Sequence, residues 1–297
     1  MAFQRDPVFR PLGGTAQRVA WAHTGQRRTL ANYPYFVDAK SGEIVITERD
    51  NHRVQIFGSR GEETRFQPFG CRGTGDNQFM CPSGVTTTRY LGANVIVADT
   101  GNRRVSTFRI GTDHLGYGTL QQTDSFGNQI FAAPTGVEFD HLTSRLAVTD
   151  PGKSRLTFHD LQNGRCIGET QPVPECPLIS PVGVAMDTRG RVYVSDTTQH
   201  RVYIYGKTGQ FIKVFGEAGY DPGQFNKPMG LCFDRDHNLL VADEANNRIQ
   251  MFTADGQYIK MVDENIHTPR GISVSVHEEL VLATGDAYNF LKILQYK

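Results

Sequence analysis

The sequence predicts an all-β chain folded as a six-bladed propeller of four-stranded antiparallel blades, and three observations carry that prediction. A Pro-x-Gly tripeptide followed by an apolar run recurs at Pro82-Ser83-Gly84, Pro134-Thr135-Gly136, Pro181-Val182-Gly183, Pro228-Met229-Gly230 and Pro269-Arg270-Gly271, with a variant at Pro34-Tyr35-Phe36. The spacing runs from 41 residues (Pro228 to Pro269) to 52 (Pro82 to Pro134), a period that marks solenoids and propellers. Each unit holds short apolar runs bounded by Gly, Pro, Asn and Asp, and no long segment has a 3.6-residue period.

One domain is expected over 1–297, with blades near 32–70, 80–127, 132–170, 179–217, 226–264 and 267–297. The first strand of each blade opens at Pro-x-Gly. The second strands, such as VIVA (95–98) and LLVA (239–242), are apolar on both faces, as strands stacked between two neighbouring blades must be. An Arg opens the third strand of the first five units: Arg53, Arg104, Arg155, Arg201 and Arg248. The fourth strand is carried by FIKVFGEAGYDPGQFNKP (211–228) and by FGCRGTGDNQFMCP (69–82), which align without gaps from the Phe-Gly dipeptide to the Pro. Blade six runs out at FLKILQYK after its third strand, and QRVAWAHTGQRRTLANYP (17–34) aligns on 211–228 with Trp21 at the place of Phe215 and Gly25 at that of Gly219. Residues 15–22 are therefore expected to close the ring as the outer strand of blade six. The stretch 111–129, longer than its counterparts and rich in Gly and Gln, reads as a mobile loop.

Composition narrows the function. Lys plus Arg equals Asp plus Glu at 31 each, so any nucleic-acid or membrane partner must be met by a local patch. The five cysteines, Cys71, Cys81, Cys166, Cys176 and Cys232, show no C-x-x-C spacing, which points to reduced thiols in a cytoplasmic protein. No stretch is apolar enough to span a bilayer, and the N-terminal residues lack a signal-peptide core.

An acid five residues before an Arg recurs as Glu48/Arg53, Asp99/Arg104, Asp150/Arg155, Asp196/Arg201 and Asp243/Arg248, with Gly285 and Phe290 at those places in blade six. Five copies cannot be one active site. Each Asp is expected to accept turn N–H groups, and each Arg to bridge to it or to the neighbouring blade.

Catalysis finds no support. Six-bladed propellers that act as lactonases or amidating lyases hold metals on the central axis, but the x residues expected near that axis are Tyr35, Ser83, Thr135, Val182, Met229 and Arg270, and a metal site needs converging His, Asp or Glu. The nine histidines are scattered, no nucleophile elbow or phosphate loop occurs, and GCRGTG (70–75) lies in a blade-to-blade connection with no helix after it. No enzyme activity, cofactor or metal is expected.

The stretches DNHRVQIF (50–57), DTGNRRV (99–105) and NNRIQMF (246–252), with GQFNKPMGL (223–231), resemble NHL repeats, and six of them resemble the C-terminal propeller of Brat-like TRIM-NHL proteins. That resemblance implies a monomeric recognition domain binding single-stranded, uridine-rich RNA for translational repression. The alternative is a protein-docking platform that selects substrates for a ubiquitin ligase whose RING lies upstream. Neither DNA nor membrane is expected as a partner.

Propeller topology places the turns between second and third strands on one face with the loops entering first strands. The binding candidates on that face are Tyr33, Tyr35, His52, Arg72, Asn102, Arg103, Lys153, His200, Lys227, Asn247, Arg270 and Tyr288, with Arg27, Arg28 and Arg49 adding charge. Cations would hold phosphates and Tyr33, Tyr35 or Tyr288 would stack bases. The same loops carry Asp50, Asp76, Glu175, Glu217, Asp221, Glu244 and Asp286.

Overall fold

Six antiparallel sheets follow one another around a central axis, and within each the strands pair in chain order except where the ring closes. The computed structural model describes residues 18–20, 34–88 apart from 62, 63, 65 and 67, 94–264 apart from 113 and 115–117, 266–285 and 291–296. Blades three, four and five have four strands each, ending in Cys166–Glu169, Phe211–Phe215 and Tyr258–Asp263. In blade six Arg18–Ala20 pairs antiparallel with Leu291–Leu294 and takes the outer position, so the N-terminal side of the chain closes the ring as the alignment expects.

One element differs from the sequence reading. In blade one the described residues give three strands, Pro34–Asp38, Ile44–Glu48 and Arg53–Phe57, with the Val54–Phe69 bridge at the place of a fourth. That bridge matches the Val202–Phe215 pair that ends the fourth strand of blade four. The stretch expected as a loop at 111–129 belongs mainly to a long hairpin, in which Arg104–Thr112 pairs with Gly118–Phe126. Its Gly118 lies against the Phe66 ring, where a Cβ would come within 2.3 Å, and forms a parallel bridge with Phe66. The extended hairpin thus leans on blade one.

The core lies between blades. Leu156, Phe158, Val184, Val192 and Tyr203 pack blade three on four, and Val202, Ile204, Leu231, Val241 and Phe252 pack blade four on five. The Pro-x-Gly repeat has a packing cause. A Cβ on Gly84, Gly136, Gly183 or Gly230 would sit 2.1–2.4 Å from the carbonyl oxygen of the x residue in the next blade, so only Gly lets the inner strands crowd together around the axis. Second-strand hydroxyls close the same seam: Thr149 donates to Val182 O at 2.8 Å and Ser195 to Met229 O at 2.5 Å.

Candidate recognition face and axial cavity

Strand register sets the face. Pro82 pairs with Asp99 and Asp99 with Arg104, and the same pairing recurs at Pro181/Asp196/Arg201 and Pro228/Asp243/Arg248. Each entry to a first strand therefore lies beside the turn between second and third strands, and backbone bonds such as Gly101 N–H to Met80 O join them. The residue before each Arg ends its turn in the left-handed region: His52, Arg103, Ser154, His200 and Asn247 all have φ between 51° and 55°.

The acid and Arg pairs are built into these turns. Arg104 Nε donates to Asp99 at 3.0 Å, Arg248 Nε to Asp243 at 2.7 Å, and Arg53 pairs with Glu48. The outer nitrogens of Arg104 hold the carbonyls of Thr74, Gly75 and Gln78, and those of Arg248 hold Tyr220, Asp221 and Gln224, so each Arg grips the connection from the preceding blade. Burial pushes the Asp99 and Asp243 carboxyls above their usual range, although backbone and side-chain donors and the Arg charge oppose it.

Two pairs depart from the direct ion pair. Asp150 accepts the N–H groups of Ala132 and Ala133 while Arg155 turns to Glu169 and Ile130 O. Asp196 accepts four backbone N–H groups, from Ile179, Ser180, Thr198 and Gln199, and Arg201 donates instead to Cys176 Sγ at 2.8 Å. With its carboxylate already filled by amides, Asp196 leaves its Arg to another acceptor.

Several binding candidates are occupied within the chain. His52 Nδ1 accepts Cys81 N–H at 2.9 Å and His200 Nδ1 accepts Lys227 N–H at 3.1 Å, so both imidazoles tie turns to connections. Asn102 donates to Gly73 O and Asp99, and Asn247 accepts Thr268 N–H. Lys153 donates to Ile130 O. Arg270 Nε donates to Glu244 at 2.8 Å, and the guanidinium carbons of Arg49 and Arg270 stand 5.2 and 5.6 Å from the Tyr35 ring centre. The ring proposed for base stacking is thus already covered by cations. Arg72, Arg103 and Lys227 are exposed. Tyr33 and Tyr288, with Arg27, Arg28, Trp21 and Asp286, lie outside the described residues.

The axis holds acids besides the six x residues expected near it. A cavity of about 20 Å³, room for little more than one water, is lined by Phe36, Asp38, Lys40, Val85, Glu138 and Ser273 among others. Lys40 pairs with Glu138 across it, Asp38 accepts Thr87 N–H at 2.7 Å, and Ser273 Oγ accepts Ala39 N–H at 3.0 Å. Burial works against the Lys40 charge, yet the Glu138 and Asp38 carboxylates hold its ammonium above the ordinary range. The expectation used the x residues alone; the acids sit three residues later on the same strands, so that Asp38 follows Tyr35 and Glu138 follows Thr135. No group of His, Cys, Asp or Glu among the described residues is arranged to hold a metal ion, and no helix among them is long and apolar enough to cross a membrane.

Comparison with known proteins agrees with this architecture. Residues 32–57 match the NHL repeat, and residues 173–273 match a family described as a 6-bladed beta-propeller. The chain carries an NHL repeat on a six-bladed propeller. No curated protein matches it. Among solved structures, a streptogramin B lyase superposes with a TM-score of 0.61 at 12% identity, covering 94% of this chain and 97% of that one. A virginiamycin B lyase from Staphylococcus aureus gives 0.60 at 15% identity, with 86% and 78% covered. A Bacteroides thetaiotaomicron protein of unknown function gives 0.67 at 14%, with 95% and 72% covered. At these identities the likeness is one of fold, and function remains with the site.

Proposed function

We propose that this chain is a non-catalytic recognition domain that docks a polypeptide on the face bearing the turns between second and third strands. The observation that carries this reading is Tyr220, 75% exposed at the tip of a connection whose backbone is clamped by Arg248. Ile179, 40% exposed, stands on the preceding connection of the same face. A rigid loop presenting a large amphipathic ring is the composition protein interfaces favour. Single-stranded RNA is the second reading, supported by the exposed Arg72 and Arg103 and weakened by the cations that cover Tyr35. On the resemblance to TRIM-NHL proteins, the domain would select targets in the cytoplasm for a ubiquitin ligase or a translational repressor, and any catalytic step would belong to another domain.

The test places a photo-crosslinking amino acid at Tyr220 and, as control, at Leu142, which is 70% exposed on a turn at the opposite end of the strands. Protease-sensitive, ribonuclease-resistant adducts from position 220 alone support polypeptide docking. Ribonuclease-sensitive adducts would establish the RNA reading, and adducts from position 142 alone would move the site to the other face.

A further inference from the structure

One scaffold occurs twice on the recognition face and carries opposite decorations. The connections 69–82 and 215–228 align residue for residue, and their hydrogen bonds coincide. Gly73 N–H donates to Phe79 O at 3.1 Å, as Gly219 N–H does to Phe225 O. Asn102 Nδ2 donates to Gly73 O at 2.9 Å, as Asn246 Nδ2 does to Gly219 O. Arg104 and Arg248 clamp equivalent carbonyls. Arg72 bridges in parallel to Phe79, and its equivalent Ala218 bridges to Phe225.

Several of the residues that differ face solvent. Arg72 and Arg103 in the first copy stand where the second has Ala218 and Asn247; Thr74 and Gly75 stand where it has Tyr220 and Asp221, and Cys71 where it has Glu217. The second copy makes every scaffold contact without either arginine, so neither guanidinium is required by the fold. Both arginines are exposed, and no acid among the described residues forms an ion pair with them. The Asn102–Gly73 bond joins the immediate neighbours of the two residues and so fixes their backbones side by side. Burial lowers the His52 pKa first, and the Arg72 charge lowers it further. Asp50 and Asp76 are the nearby acids in sequence, both exposed.

We propose that Arg72 and Arg103 form an anion-receiving pair for an acidic stretch of the docked polypeptide, while the equivalent loop offers Tyr220 to an apolar part. This rests on the polypeptide reading above. Two guanidiniums on preordered backbones suit carboxylate or phosphate oxygens, since the backbone part of the ordering cost is already met. The carboxylates of Glu217 and Asp221 on the second loop disfavour the same stretch there and so set its direction.

The experiment measures fluorescence anisotropy of a labelled Glu- and Tyr-containing peptide, of a copy with Lys for Glu, and of a uridine-rich single-stranded RNA. The proteins are the wild type and the double variant Arg72→Ala with Arg103→Asn, which installs the residues of the second copy and is therefore expected to melt like the wild type. The expected result is acidic-peptide binding that weakens on the order of tenfold in the double variant, with little binding of the Lys peptide. Equal affinity in both proteins, or no binding of the acidic peptide, overturns the assignment. RNA binding lost in the double variant without peptide binding replaces the polypeptide by nucleic acid. Crosslinking at Tyr220 reads the docking proposal separately, so the two can fail independently.

Discussion

The Lys40 ammonium crosses the propeller axis to the Glu138 carboxylate and joins blade one to blade three. Beside it, Asp38 takes the amide of Thr87 in blade two and Ala39 donates to Ser273 in blade six. One short stretch of blade one therefore touches three other blades beside the axial cavity.

Removing one member should hurt more than removing both. Lys40→Met leaves the Glu138 charge facing the cavity, and a loss of about 1–3 kcal/mol is expected in urea unfolding, less than for a fully buried pair because Lys40 is 36% exposed. Lys40→Met combined with Glu138→Gln should recover part of that loss. Additive losses in the double variant would show that the pair is not coupled.

The turn arginines should differ by blade. Arg104→Met strands three carbonyls and the Asp99 carboxylate, so about 3–5 kcal/mol is expected. Arg201→Met loses a bond to a thiol while Asp196 keeps its four amide donors, and about 1 kcal/mol is expected. Equal unfolding midpoints for the two variants would refute the distinction.

His159 predicts an acid limit to stability. It is fully buried between Phe126 and Phe131, its Nδ1 near Gly164 O and its Nε2 near Thr157 Oγ1. Burial lowers its pKa, with the Arg155 charge adding to that and the Gly164 bond opposing it. Above pH about 6.5 both folded and unfolded imidazoles are neutral and nothing changes. Below it the unfolded chain takes a proton that the folded chain refuses, so stability falls with pH at up to about 1.4 kcal/mol per unit. Urea midpoints at pH 7.5 and 5.5 should separate less in His159→Gln than in the wild type, in line with this window.

The inner-strand glycines should tolerate no side chain. A Cβ at residue 183 would lie 2.1 Å from Met229 O, a backbone atom with no room to yield. Gly183→Ala is expected to lose about 3 kcal/mol or more, seen as a lower melting temperature; an unchanged melt would mean that the blades part freely at that seam.

Deleting residues 1–22 removes the outer strand of blade six. The melting temperature should drop on the order of 5–10 °C, as expected for a loss of a few kcal/mol in a chain of this size, and an unchanged melt would take ring closure away from this segment.

Much of the fold was legible because its signals are local. Pro-x-Gly, the two-faced apolar runs and the acid-to-Arg spacing each occupy a few consecutive residues and repeat, so blades, seams and ring closure could be counted. The long hairpin of blade two was misread because Gly and Gln suggest a loop, whereas pairing to an extended third strand overrides that preference. Tyr35 and Arg270 looked like binding groups because sequence shows a side chain's type and not its partner; packing puts Arg270 on Glu244 and both guanidiniums on the ring.

The sequence by itself determined the repeat, the strand order and the blade-to-blade seam, since backbone geometry and apolar periodicity act over neighbouring residues. Only the tertiary structure decided which acceptor each turn arginine holds, and that an acid and a lysine 98 residues apart close the axis. The axial contact arises where six inner strands converge and the arginine contacts reach the connection from the preceding blade, so each residue is answered by a distant part of the chain, which no local pattern encodes.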